Sequence, residues 1–375
     1  MTGLNTKLIH GDDDTFNRVP DIIQPINVAS TFEYNSDPDK LVKAKDQKIS
    51  EASEVHPFYS RISHPNSLKA EAVLSTVLDG HVVVYNSGLS AFFGALTHFN
   101  PKVLAIGNGY HGSHGVANLF TRLNGLKQVS LEEYDKLGPG DIIHVETPEN
   151  PYGTAHDLSF YVAEAHKRGA IVIADATFAP PPLQNPFEFG VDLVLHSGTK
   201  YFGGHSDLLA GVLVTKDIKV KHALIGDRSY LGTNISNLDS YLLLRSLRTF
   251  EIRVLKQSSN AEKIVQYLSA NKDKYPVLKN IFHSSLQKEA FVSKQLKHHG
   301  PVFAIELTSS DSAKRLPSKL KYFHHATSLG GVESIIEWRA MSDPGISETI
   351  LRISVGIEDV EDLIADLDHG LSSFN

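Results

Sequence analysis

The chain of 375 residues is 41% hydrophobic and 21% charged, the make-up of an ordinary soluble globular protein, and it is too long for one small core, so a large domain plus a smaller one is expected. A formal net charge of −7 gives no reason to expect nucleic acid or an acidic membrane surface as a partner. Cysteine is absent, which excludes disulfides, thiolate metal sites and a cysteine nucleophile.

In chain order, the opening segment MTGLNTKLIHGDDD has no apolar stretch and carries consecutive aspartates, unlike a secretory signal or a basic transit peptide. No apolar run approaches the length of a membrane span, so the cytoplasm is the expected location. Residues 40–54 are polar, with apolar positions too sparse for a core face, and residues 1–55 read as an N-terminal arm. From Val82 the texture changes to short apolar, β-branched runs: VVVY at 82–85, VLAI at 103–106, IIHV at 142–145, IVIA at 171–174 and VDLVL at 191–195. Runs of this length separated by helix-length segments predict buried parallel strands of an α/β sheet. AFFGALTHF and SFYVAEAHKRG supply crossover helices, with Gly169 where the second would stop. Residues 56–235 thus form the large domain. Residues 236–375 read as a smaller α+β domain: a long, broken amphipathic helix with Leu242, Leu243, Leu247, Phe250 and Val254 at helical spacing, strands at 302–307 and 349–355, and a closing helix DVEDLIADLDHGL.

The chemistry concentrates where strands end. Asp175 closes IVIAD and Lys200 follows VDLVLHSGTK, so both lie beyond the C-terminal ends of buried strands, where open α/β sheets bind ligands. A carboxylate there can hold a pyridine nitrogen protonated, and a lysine withdrawn from water can be neutral enough to form a Schiff base. Taken singly each signal is weak, because an aspartate after a strand is more often a helix cap and a lone lysine in a glycine-rich loop is usually solvated. Two segments fit a phosphate: NSGLSA at 86–91, whose Gly88 and Leu89 N–H groups open a helix, and Ser197 with Thr199, which offer hydroxyl donors. The 19 histidines invite a metal hypothesis, and HGSH at 111–114 has one-turn spacing, but there is no HExxH and no cysteine ligand, so no metal is expected.

HSGTKYFGGHSD at 196–207 resembles the Schiff-base segment of the trans-sulfuration enzymes, the fold-type I pyridoxal-phosphate (PLP) family of cystathionine γ-synthases, β-lyases and γ-lyases. The resemblance runs nearly the whole chain, through QPINVASTFEY (24–34), YSRISHPN (59–66), ETPENP (146–151), ADATFAPP (174–181), SLGGVES (328–334) and LRISVGIED (351–359). It implies an α/β fold of that type, PLP as cofactor and a small amino-acid substrate. Lys200 would be the Schiff base and proton shuttle, Asp175 would pair with the ring nitrogen, and Tyr110 would stack on the ring. Gly88, Leu89, Ser197 and Thr199 would hold the phosphate, and Asn150 would lie near the phenolic oxygen. Arg352 would clamp the substrate α-carboxylate with Ser328 beside it; its place inside the apolar run ILRISV argues against an ordinary surface charge. Tyr59 and Arg61 would reach the phosphate of a neighbouring subunit, which implies a homo-oligomer, a dimer of shared sites assembled into a tetramer.

The chain also departs from the family pattern. Ala176 stands where the family has Asn, Gly198 where it has Ala, and His64-Pro65-Asn66 where it has Asn-Pro-Thr; EWRAMSDPG replaces a segment with Pro and a Thr-His pair. The resemblance implies a carbon–sulfur lyase acting on L-cystathionine or a related thioether. Two alternatives stay open: γ-replacement on an O-acylhomoserine, towards which SLGGVES leans, and a PLP-binding regulatory or assembly protein without turnover.

Overall fold

The computed structural model describes residues 3–13, 21–55 and 57–374, so Met1, Thr2 and Asp14 of the opening segment lie outside the described residues. Helices α1 (Leu4–His10) and α2 (Ile49–Val55) precede α3 (Pro65–Leu78), which starts at a proline and is capped by the His64 ring accepting from the Ser67 N–H. There follow β1 (His81–Tyr85), α4 (Gly88–Phe99), β2 (Val103–Ile106), α5 (His111–Asn124), β3 (Lys127–Val129) and β4 (Ile142–Glu146). Next come α6 (Leu158–His166), β5 (Ile171–Asp175), β6 (Leu193–Ser197), β7 (Gly211–Thr215) and α7 (Ile218–Leu231).

These strands form one sheet in the order β1-β7-β6-β5-β4-β2-β3. The pairs from β6 through β5, β4 and β2 to β3 are parallel, whereas β7 runs antiparallel to both β6 and β1. The expected apolar runs all fall on this sheet, and β7, GVLVT, and the short β3 add two strands to them. The chain between β6 and β7 turns without forming a helix, so it returns beside β6 in the opposite direction instead of crossing over. Side chains alternate between the faces as a pleated strand requires. Val82, Val84, Ile143, Val145, Val172, Ala174 and Val194 join one core, and Val83, Tyr85, Ile142, Ile173, Leu193 and Leu195 join the other, beneath α4, α5 and α7. Burial on both faces is why these strands read as continuous apolar runs.

The long helical stretch is two helices, α8 (Asn237–Leu247) and α9 (Phe250–Ala270), separated at Thr249, whose backbone is not helical (φ −117°, ψ 13°). At this corner Arg248 turns back to the N-terminal helix, donating to both Asp12 carboxylate oxygens at 2.8 and 2.9 Å. Leu243, Leu247, Phe250 and Val254 complete the first core of the large sheet, while Ala261, Ile264, Val265 and Leu268, further along α9, enter a separate core. That core belongs to a second sheet, built from β8 (Leu278–Phe282), β9 (Val302–Leu307), β10 (His324–His325), β11 (Ile335–Trp338) and β12 (Ile350–Ser354) in the order β10-β11-β12-β9-β8. The short helix α10 (Val292–Gln295) packs Val292 into the core of the large sheet, whereas α11 (Ser310–Arg315) flanks the second sheet and the closing helix α12 (Val360–Ser372) covers it with Leu363, Leu367 and Leu371. Among the described residues no helix is long and apolar enough to cross a membrane.

Candidate active site

The C-terminal ends of the parallel strands open onto one cavity of about 350 Å³, a size typical of small-molecule sites. Each strand delivers a short segment to it. After β1, Ser87 caps α4 and presents Gly88 and Leu89 at the helix N-terminus. After β2, Tyr110 caps α5, its N–H held at 2.7 Å by Glu146 Oε2. Glu146 ends β4, and its other oxygen accepts the Asn150 N–H at 2.7 Å. Asp175 ends β5 in register with Glu146, and Ser197, Thr199 and Lys200 follow from β6. The smaller domain closes the cavity with Thr327, Ser328, Leu329, Arg339, Ser342 and Arg352.

Two close approaches need glycine or a special backbone. A Cβ on Gly88 would lie 3.1 Å from Ser197 Cβ, so its absence lets the α4 N-terminus sit against the loop that leads to Lys200. Across the cavity, a Cβ on Gly330 would meet the Tyr201 nitrogen at 2.9 Å, and Gly330 has φ +81°, so only glycine lets this loop reach the Lys200 backbone unstrained. Ser328 itself holds φ +76°, a left-handed conformation that costs a non-glycine residue about 1–3 kcal/mol and concentrates at functional sites.

The electrostatics follow from burial. Withdrawal from water lowers the Lys200 ammonium to about 8; the Arg352 charge adds to that effect and Glu337 opposes it. Burial raises Asp175 above the usual carboxylate range, against two bonds from Thr177, its N–H at 2.9 Å and its hydroxyl at 2.6 Å to Asp175 Oδ1. Glu146 is raised by burial too, with the Asp175 charge adding to it. Arg352 is buried and donates to Asn150 Oδ1 at 2.9 Å, to the Ser328 carbonyl at 2.8 Å and to Glu337 Oε2 at 2.5 Å. These bonds fix its planar fork while leaving N–H donors for a carboxylate.

Of the residues singled out from sequence, Gly88, Leu89, Tyr110, Asn150, Asp175, Ser197, Thr199, Lys200, Ser328 and Arg352 all line this cavity. Tyr59 and Arg61 do not: both lie outside it, with the Arg61 guanidinium 5.5 Å from the centre of the Tyr59 ring and its Nη1 donating to the Ser229 carbonyl at 2.6 Å. In HGSH, His111 lines the cavity, whereas the His114 ring sits 2.8 Å from the Gly107 carbonyl. Thr177, Glu146, Glu337 and Arg339 were not assigned roles from sequence. Glu146 could have been found, since it closes an apolar run just as Asp175 does. The surroundings of Glu337 and Arg339 are set by a turn whose sequence departs from the family pattern, and periodicity carries no information about it.

The residues fit PLP on the chemistry of the donor set. A half-buried lysine with a depressed pKa, a buried carboxylate at a strand end and the N-terminal turn of a helix with hydroxyls beside it line one cavity. They offer the amine, the ring-nitrogen partner and the anion site that this cofactor requires.

A family model described as Cys/Met metabolism PLP-dependent enzyme matches residues 5–372. Cystathionine gamma-synthase of Escherichia coli (strain K12) is 33% identical, with 94% of each chain covered. Cystathionine beta-lyase of Lactococcus lactis subsp. cremoris (strain MG1363) is 30% identical, with 99% of each covered. The crystal structure of cystathionine gamma synthase from Xanthomonas oryzae pv. oryzae in complex with aminoacrylate and cysteine superposes with a TM-score of 0.88 at 29% identity, covering 99% of this chain and 98% of that one. The chain belongs to the PLP-dependent enzymes of cysteine and methionine metabolism.

Proposed function

We propose that the enzyme is a carbon–sulfur lyase acting on L-cystathionine or a related thioether. The observation that carries the chemistry this reading needs, deprotonation at the amino-acid Cα, is the position of Lys200. Its buried amine, lowered to about 8, faces Asp175 and Arg352 across one cavity, so a single group can serve both as cofactor anchor and as base. PLP, when bound, supplies an electron sink for the pair left at the substrate Cα. Arg352 pairs with the α-carboxylate and Asn150 holds Arg352 in place. Lys200 removes the Cα proton and delivers a proton to the departing group, while Ser328 orients its amine through the 2.7 Å hydrogen bond. Asp175, held by Thr177, would keep the ring nitrogen of the cofactor protonated. Tyr110 would pack on the ring face, Gly88, Leu89, Ser197 and Thr199 would hold the phosphate, and Phe178, Leu195 and Leu329 would keep water from the reacting atoms. The balanced reaction consumes thioether and water and yields a thiol, ammonia and a 2-oxo acid. Product analysis with L-cystathionine tests it.

A second reading, γ-replacement on an O-acylhomoserine, is supported by the likeness to the E. coli cystathionine gamma-synthase. Both reactions use the same lysine and the same cofactor.

We further infer a homo-oligomer with shared sites, a dimer at least and a tetramer of closed symmetry. Tyr59 and Arg61 sit exposed away from their own cavity. The segment 21–42 exposes Ile22, Ile23, Val28, Tyr34, Leu41 and Val42, an apolar surface of the kind that another chain covers. The same reading divides the chain into the arm at 1–55, the cofactor domain at 56–235 and the smaller domain at 236–375, with α9 packing on both cores.

A further inference from the structure

Glu146 lines the cavity from the end of β4, yet the chemistry assigned to Lys200, Asp175 and Arg352 gives it no task. It is half-buried, and backbone from two other segments engages both of its oxygens. Oε2 accepts the Tyr110 N–H and Oε1 accepts the Asn150 N–H, each at 2.7 Å, as short as charge-assisted bonds to a carboxylate run. The close approach is built into the chain. A Cβ on Gly109 would overlap Glu146 Oε2, so a side chain there would push the carboxylate off the Tyr110 N–H.

The two N–H groups belong to residues on different sides of the cavity. Tyr110 caps α5 without a side-chain bond of its own. Glu146, from the strand that pairs with β2, takes the place that an acidic side chain of the first turn holds in a capping box. The N-terminus of α5 favours negative charge at that point. Asn150 in turn accepts from Arg352 Nη1 at 2.9 Å. One carboxylate therefore fixes both the residue that faces the ring and the residue that aims the clamp.

Neither neighbouring carboxylate can take its place. Glu149 is turned to the His156 ring at 2.8 Å, and Asp175 accepts both donors of Thr177. Burial, with the Asp175 charge adding to it, raises Glu146 above the ordinary carboxylate range, and the two N–H bonds oppose that shift. The contacts that hold Tyr110 and Asn150 thus also favour the charged form.

We propose that Glu146 is a positioning residue for both halves of the site: it sets the Tyr110 ring against the cofactor and, through Asn150, sets Arg352 for the substrate α-carboxylate. The inference rests on the reading of Tyr110 as the ring partner and Arg352 as the clamp, and it holds whichever reaction follows.

Double-mutant cycles on the PLP-loaded enzyme test it with two readouts that need no turnover. One is the rate of PLP release. The other is the affinity for L-norleucine, an amino acid without a leaving group, by calorimetry. Glu146→Gln keeps the volume but leaves one acceptor for two N–H groups. PLP release should quicken or norleucine binding weaken by about tenfold or more, the scale of one charge-assisted hydrogen bond. Each effect should vanish with the residue it acts through: the effect on release should fall below about threefold in Tyr110→Ala, and that on norleucine below about threefold in Asn150→Ala. Gly109→Ala, which displaces the carboxylate without removing it, should move the same readout in the same direction, and it decides the matter if Glu146→Gln does not fold. Release and affinity both within about threefold of the parent overturn the proposal. So do full-sized effects that persist in Tyr110→Ala and Asn150→Ala, the mark of a general structural role. The clamp reading fails separately. An Arg352→Lys enzyme with unchanged norleucine affinity overturns the clamp, and the PLP-release cycle with Tyr110→Ala then decides the role of Glu146.

Discussion

Lys200 Nζ donates a 2.7 Å hydrogen bond to Ser328 Oγ across 128 positions of sequence, joining the loop after β6 to the smaller domain. Ser328 also offers its carbonyl to Arg352, so one strained residue, at φ +76°, positions both the amine and the guanidinium. The site is therefore completed only when the two domains are packed together, and the following predictions test its parts.

Borohydride reduction of the PLP-loaded enzyme should place a single pyridoxyl adduct on the peptide containing Lys200, read by mass spectrometry. Reloading of cofactor-free enzyme requires the neutral amine. Burial lowers the Lys200 ammonium to about 8 from its ordinary 10.5, so the reloading rate should rise with pH through about 8 and level off above it. A rate still climbing steeply beyond pH 10, or an adduct on another lysine, would contradict the assignment.

Asp175→Asn should keep the fold and much of the bound PLP, because the Thr177 hydroxyl and N–H can still meet a side-chain carbonyl oxygen. Turnover should fall by about 100-fold or more. An amide cannot hold the ring proton by charge, and each pK unit lost there corresponds to about 1.4 kcal/mol, a factor of about ten. Steady-state turnover of the purified variant near that of the parent would show that another group protonates the ring.

Arg352→Lys should raise KM for amino-acid substrates roughly 10- to 100-fold, since an ammonium cannot reproduce the planar pairing. The visible spectrum of the resting enzyme should barely change, because Arg352 is held by Asn150, Ser328 and Glu337 on the substrate side. Lysine is the informative replacement. Alanine would leave Glu337 and Arg339 in a broken buried network, at a cost of about 3–5 kcal/mol in stability. An altered spectrum with unchanged KM would assign Arg352 to the cofactor instead.

Lys200→Ala and Arg61→Ala chains, each inactive alone, should recover part of the activity when mixed and reassembled. In a shared site some cavities receive an intact Lys200 from one chain and an intact Arg61 from the other. Co-assembled mixtures, verified by mass, that stay as inactive as either parent would rule out the exchange.

Much of this architecture was legible in the sequence because buried parallel strands need apolar, β-branched runs, and the ligand end of such a sheet is fixed by its direction. Asp175 and Lys200 could be placed at that end from IVIAD and VDLVLHSGTK alone. β7 carried too little to separate it from its surroundings, since it returns from a turn and not through a crossover helix. The partnership of Glu337, Arg339 and Arg352 was not legible, because it depends on how β11 and the turn after it meet β12 across a sheet pairing. Side-chain convergence of this kind has no period for a sequence pattern to reveal.

The most direct test of the account is incubation of PLP-loaded enzyme with L-cystathionine, measuring 2-oxo acid, thiol and ammonia together. The account predicts equimolar release of all three, as pyruvate with homocysteine or 2-oxobutyrate with cysteine, and its loss in Lys200→Ala. Enzyme whose Lys200 demonstrably carries the cofactor, yet which releases neither 2-oxo acid nor thiol from cystathionine, would contradict it.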